Sequence, residues 1–291
     1  MHTRSRSHSP GASQPPDIWL PSTYEELDAL LRTSPIYEGY LRAVVQSADG
    51  VLFKYKGPSY AEEVRAMRYA GRLIPSLVPK ILHHPPLHRG VAHARRDGRP
   101  TGVWYICMEK CPGVSLDKVI DNMTPYELNH VAEQLRTVLD KMQRPRSKKL
   151  GSVTGGPFRN NLFPDELLPY RPSTYSDLIN LWREILLVCC SETHTENLLS
   201  RLPRNAPIRF AHGDLLPQNI IVNGSTITGI IDWVTAGFWP EYWDYCVMHD
   251  PDWSSPGWDR ILEILFVGKR RQAEINAVHE ISEIFNRLWY G

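Results

Sequence analysis

The sequence predicts an α+β protein in which a small part rich in strands precedes a larger helical part. Three observations carry this. Asp49-Gly50 is a hairpin turn signal between two apolar runs in "LRAVVQSADGVLFKYKG". "VWYICME" is a continuous apolar run with aromatic and β-branched members, closed by the breaker "CPG". From Thr124 onward helical periodicity takes over. A chain of 291 residues has room for one large domain or two lobes.

Composition narrows the class. With 42% hydrophobic and 22% charged residues the chain reads as an ordinary soluble globular protein. A formal net charge of +1 gives no electrostatic case for nucleic acid or an anionic membrane, so neither is expected as a partner. No apolar run approaches the roughly 20 residues that span a bilayer. Residues 1–16 lack an apolar core and read as a disordered tail rather than a secretory signal. The five cysteines, odd in number and without a CxxC pair, fit reduced thiols and a cytoplasmic location.

The elements follow in order. "STYEELDALLRTSP" reads as a helix capped by Ser22 or Thr23. The hairpin after it places Lys54 on its second strand. "SYAEEVRAMRYAGRL" reads as a helix with a capping box from Ser59 to Glu62; Glu63 then shares a face with Met67 and Ala70 and points inward. The histidine-rich segment 83–93 has no ligand spacing and reads as a connection between strands. Residues 109–113 form a hinge between the lobes, so 17–110 is assigned to the first lobe and 111–291 to the second.

"TPYELNHVAEQLRTVLDKM" has Thr124 as its cap, Pro125 in its first turn and Glu127 completing a capping box. Leu128, Val131, Leu135 and Val138 make its apolar stripe. "STYSDLINLWREILLVCC" is a long amphipathic helix, with Cys189 and Cys190 read as small core residues. A shorter helix follows at 192–201.

The chemistry sits in "AHGDLLPQNIIVNGSTITGIIDW", residues 211–233. Two short strands flank Asn223-Gly224, a second hairpin signal. Such a hairpin brings Asn219, just before its first strand, next to Asp232, at the end of its second. Asp214 lies on the loop close to the same mouth. Two carboxylates and a carboxamide converging there make a hard, oxygen-rich site of the kind Mg²⁺ selects.

"HGDLLPQN" resembles the H-x-D-x4-N catalytic loop of the protein-kinase-like fold, in the version used by aminoglycoside and choline phosphotransferases. "GIIDW" resembles that family's metal-binding Asp segment, and "AGFWPEYWDY" resembles the tail of its fungal aminoglycoside phosphotransferase group. Lys54 in "VLFKY", Glu63 in "EVRAMRY" and the hinge "YICMEKCPG" come in the family's order, and the similarity runs from about residue 40 to about 250. The resemblance implies a bilobal fold, an antiparallel-sheet lobe over a helical one, with ATP and Mg²⁺ between them. It implies Asp214 as the group that accepts or orients the proton of an acceptor hydroxyl. Asn219 and Asp232 would hold Mg²⁺, Lys54 would contact the α- and β-phosphates, and Glu63 would fix its ammonium group. Backbone groups from Glu109 to Cys111 would bind the adenine edge, and His212 would brace the loop. Lys56 and Glu62 stay open as alternatives to Lys54 and Glu63.

The expected activity is ATP-dependent transfer of a γ-phosphoryl group to an alcohol of a small-molecule acceptor. Trp239, Trp243, Trp253 and Trp258, with Glu241, Asp244, Asp250, Asp252 and Asp259, would suit a cationic amine, against core packing as the competing reading of the tryptophans. One departure stands out: no G-x-G pattern precedes Lys54, and before the hairpin's Gly50 the region offers only Gly39 in "PIYEGY". This gap leaves a kinase-like binding module without catalysis as the alternative. A metal-dependent hydrolase built on His212, Asp214 and Asp232 is the third reading.

Overall fold

In the computed structural model the described residues are 20–21, 23–32, 35–39, 42–47, 50–55, 60–85, 105–156 and 172–290. The tail, the Asp49 turn position, Lys56, the Ser59 cap and residues 86–93 lie outside them.

Helix α1 (Tyr24–Leu31) starts at Thr23, whose hydroxyl accepts from the Glu26 N–H while the Glu26 carboxylate accepts from the Thr23 N–H. The capping box therefore settles on Thr23 rather than Ser22. Five strands follow, interrupted by one helix: β1 (Pro35–Gly39), β2 (Arg42–Gln46), β3 (Leu52–Tyr55), α2 (Tyr60–Leu73), β4 (Ile81–His83) and β5 (Tyr105–Met108). They form an antiparallel sheet in the order β1-β2-β3-β5-β4. Side chains alternate across it. Val45, Phe53, Tyr105 and Cys107 pack with Leu27 of α1 in a small core on one face. Lys54 is paired in register with Ile106, which belongs to the main core on the opposite side. The two-residue period thus aims Lys54 at α2 and the second lobe.

That lobe begins with β6 (Val114–Ser115) and the long helix α3 (Pro125–Met142). Thr124 and Glu127 make the expected capping box, and Leu128, Val131, Leu135 and Val138 are all buried. The lobe continues with β7 (Arg146–Ser147), α4 (Tyr175–Cys189), α5 (Glu192–Ser200), β8 (Ile208–Ala211), β9 (Ile220–Asn223), β10 (Thr226–Ile230) and β11 (Gly237–Pro240). It closes with α6 (Trp243–Met248), α7 (Pro256–Leu265) and α8 (Gln272–Tyr290). Two three-stranded antiparallel sheets, β10-β9-β6 and β11-β8-β7, lie inside this helical part. The result is the protein-kinase-like α+β architecture.

The main apolar cluster crosses between the lobes: Val64, Met67 and Ala70 of α2 join Leu135, Phe210, Trp233 and Trp258. The Tyr69 ring lies 4.8 Å from that of Phe210 and 5.8 Å from that of Phe238. Helix α2 is thereby anchored to both halves.

Two local expectations are corrected. The second hairpin turns at Gly224-Ser225, one residue later than Asn223-Gly224, because Asn223 pairs in register with Thr226 and a bulge between Ile227 and Gly229 takes up the offset. Cys189 is exposed and Cys190 half-buried, because α4 ends there and the chain turns extended. Among the described residues, no helix is long and apolar enough to cross a membrane.

Candidate active site

Lys54 is 7% exposed, too buried to stand unpaired. Its Nζ donates to Glu63 Oε1 at 2.6 Å and to Asp232 Oδ1 at 2.9 Å. Burial alone would lower its pKa, but the two carboxylates outweigh that and hold the ammonium form well above the ordinary lysine range. Glu63 is 1% exposed, and its second oxygen, Oε2, has no hydrogen-bond partner. One strand, one helix and one loop thus meet at a single nitrogen.

The loop after β8 is held from behind. Asp244, on α6 and 2% exposed, accepts the N–H of His212 at 3.1 Å and that of Gly213 at 2.8 Å. Burial pushes the Asp244 carboxyl up to about 6 against the pull of those two N–H groups. The buried His212 ring has both nitrogens engaged. Its Nδ1 faces the Asp214 N–H at 3.2 Å and must accept, so Nε2 carries the proton and donates to Ile231 O at 3.0 Å. Burial brings its pKa down to about 4, so the ring is neutral at pH 7. Neutrality alone would suit a metal ligand, but with Nδ1 accepting and Nε2 protonated neither ring nitrogen presents a lone pair to an ion in this arrangement, which counts against the hydrolase reading.

Asn219 closes a 3-10 turn, Pro217–Asn219, and its Nδ2 donates to Asp214 Oδ2 at 2.9 Å and to Asp214 O at 2.8 Å. Across the hairpin mouth, Ile231 N–H donates to Asn219 O at 2.9 Å, which ties the start of β9 to the segment that carries Asp232. Asp232 adopts φ 61° and ψ 62°, the one non-glycine residue with positive φ among the described residues. That conformation costs on the order of 1 kcal/mol and turns the carboxylate back toward Lys54. The structure therefore brings Lys54, Glu63 and Asp232 into direct contact, with Asp214 and Asn219 bonded to each other beside them.

A family model described as the phosphotransferase enzyme family matches residues 38–279. The chain belongs to that family. Solved structures of similar fold include the GDP complex of wild-type aminoglycoside 2'-phosphotransferase-IIIa, 16% identical, covering 89% of this chain and 87% of that one at a TM-score of 0.56. ADP-bound APH(2")-Ib is 14% identical, with coverages of 92% and 91% and a TM-score of 0.59. The streptomycin–ATP–APH(2")-IIa ternary complex is 15% identical, with coverages of 92% and 90% and a TM-score of 0.58. No curated protein sequence matches this phosphotransferase-family chain.

At the hinge, the Glu109 N–H donates to Lys80 O at 3.0 Å, and the Glu109 side chain is more than half exposed, 3.4 Å from Lys80 Nζ. Cys111 is half-buried against Gly229, where an added Cβ would stand 2.2 Å from its Sγ. For the tryptophans the core-packing reading holds at three of the four positions. Trp239, Trp243 and Trp258 are core residues, at 0%, 3% and 0% exposure, and Trp253 alone is half-exposed. Asp244 likewise faces the catalytic-type loop rather than solvent. Asp250 and Asp252 lie with His279, their ligand-type atoms within 4.8 Å of one another, and the Asp250 carboxylate is 3.3 Å from His279 Nδ1.

Asp244 holds loop N–H groups, a task different from the amine contact its sequence context suggests. A carboxylate set among aromatics in "EYWDYCVM" was the available signal, since a buried acid needs donors and the nearest loop N–H groups can supply them.

Proposed function

We propose that this chain transfers the γ-phosphoryl group of ATP to a hydroxyl of a small molecule, with Mg²⁺ as cofactor. The observation that carries the reading is Lys54 Nζ shared between Glu63 and Asp232 at 2.6 and 2.9 Å, with the Asp214–Asn219 pair alongside. Phosphoryl transfer asks the protein mostly for positioning and charge neutralisation, and this cluster supplies both.

Lys54 would meet the α- and β-phosphates, with Glu63 keeping its ammonium group in place. Asp232 and Asn219 would hold Mg²⁺. The residues present fit that ion: the carboxylate is a hard oxygen donor, and Asn219, its amide nitrogen spent on Asp214, has its carbonyl oxygen left for a cation. Magnesium, when bound, neutralises charge on the phosphates. Asp214 would accept or orient the acceptor proton, and the His212–Asp244 brace would hold it in place. Because the Glu109 N–H is committed to Lys80, adenine recognition falls to the Glu109 carbonyl and the Cys111 N–H.

The acceptor is a small alcohol, with cationic amines as the class to test first. The streptomycin complex among the similar folds supports that choice, as do the half-exposed Asp250 and the exposed Asp252. The test is a screen of aminoglycosides, choline and other small alcohols for label from γ-labelled ATP. Turnover should fall by roughly 10²-fold or more in Asp214→Ala. Unchanged turnover in that variant would refute the assignment of Asp214. No transfer, together with no thermal stabilisation by millimolar Mg-ATP, would favour the non-catalytic binding module.

A further inference from the structure

Helix α4 ends on two adjacent cysteines that the phosphotransfer site does not use. Consecutive side chains on a helix diverge by about 100°. Here Cys189 closes the helix while Cys190 is already extended, at φ −123° and ψ 156°, and the change of conformation brings the two sulfurs to 3.9 Å. Cys189 is exposed and Cys190 half-buried, so a solute can reach the pair. Cys189 Sγ otherwise lies 3.6 Å from Leu186 O and 4.0 Å from Ile185 O, while Cys190 packs against buried apolar residues with Glu280 and Arg287 as its charged neighbours.

We propose that Cys189 and Cys190 form a two-sulfur binding site for a thiophilic d¹⁰ metal ion such as Zn²⁺ or Cd²⁺. The separation is the argument. With metal–sulfur bonds of about 2.3 Å, sulfurs 3.9 Å apart subtend roughly 116° at the metal, close to the ~109° of a tetrahedral centre. The pair needs little rearrangement to close on such an ion, and soft thiolates prefer it to Mg²⁺. Binding converts M²⁺ and two S–H groups into two metal–sulfur bonds and two released protons, with no change of oxidation state. Water fills the remaining positions. The site is separate from the Lys54–Asp232 cluster and independent of the phosphotransfer reading.

The full-length reduced protein is titrated with CdCl₂ in the presence of excess Mg²⁺, following heat and the ultraviolet thiolate-to-cadmium charge-transfer band. One equivalent should bind with that band. Cys189→Ser and Cys190→Ser should each remove the band and weaken binding at least tenfold, while Cys111→Ser keeps both. Circular dichroism and thermal midpoints check that the variants fold; Cys189, being exposed, is the variant least able to disturb packing. Absence of the band in the wild-type protein, or its persistence at full affinity in folded Cys189→Ser, overturns the proposal.

Discussion

At the scale of single residues, two buried titrating groups brace the loop that carries Asp214, and they pull stability in opposite directions with pH. Native His212 stays neutral down to about 4, below its ordinary 6.5, so acidification across that window protonates the unfolded chain first and stability is lost. Native Asp244 protonates near 6, above its ordinary 3.8, so it favours the folded state at low pH, and that contribution is lost as pH rises through 6. Each is worth on the order of 3 kcal/mol, and between about pH 4 and 6 they largely offset. Asp244→Asn should therefore steepen the loss of stability on acidification, whereas His212→Gln should reverse its slope. Urea midpoints measured from pH 4 to 7 check this, and parallel profiles for the two variants would contradict it.

Lys54 and Glu63 were legible through the order of landmarks in the family resemblance, helped by the inward face that Glu63 shares with Met67 and Ala70; their pairing shows only in the structure. Asp244 was misread because its partners are main-chain N–H groups 31 and 32 positions away, and backbone donors leave no mark in a sequence.

At the scale of elements, close approaches decide how loop, hairpin and hinge fit. Gly213 has φ +84°, and a Cβ there would stand 2.6 Å from the Thr235 carbonyl oxygen. Gly213→Ala should cost roughly 1–3 kcal/mol and lower kcat, because it separates the Asp214 loop from the Asp232 segment. Denaturation midpoints and steady-state rates measure both effects. Gly229 of β10 lies against Cys111, so Gly229→Ala should displace the hinge. Its KM for ATP should rise several-fold with a smaller change in kcat, and an unchanged KM would show that the hinge does not depend on this contact. The 211–233 stretch was readable because catalytic-type spacing is local in sequence. The turn position was not, since a bulge moves register without changing composition. Aromatics beside acids around α6 left a binding face and core packing both open, and only the burial of Trp239, Trp243 and Trp258 decides between them.

At the scale of the whole molecule, α2 ties the two lobes together through one apolar cluster. The chain should unfold in a single calorimetric transition, and two resolved transitions would contradict that. Tyr69→Ala, which removes the ring between α2 and the β8–β11 pair, should cost about 2 kcal/mol. Part of this architecture was legible in the order of strand and helix signals, in the Thr124 capping box and in the apolar stripe of α3. The continuity of the core across the hinge was hidden, because it arises from contacts between residues more than a hundred positions apart, as between Tyr69 and Phe210.

The central claim is that Lys54, Asp232 and Asn219 hold a magnesium nucleotide next to Asp214. Calorimetric titration of ATP, with and without Mg²⁺, into the wild-type protein and Asp232→Asn tests it most directly. Mg²⁺ should strengthen ATP binding to the wild-type protein, and Asp232→Asn should abolish that gain. Equal affinities in all four titrations would contradict the account.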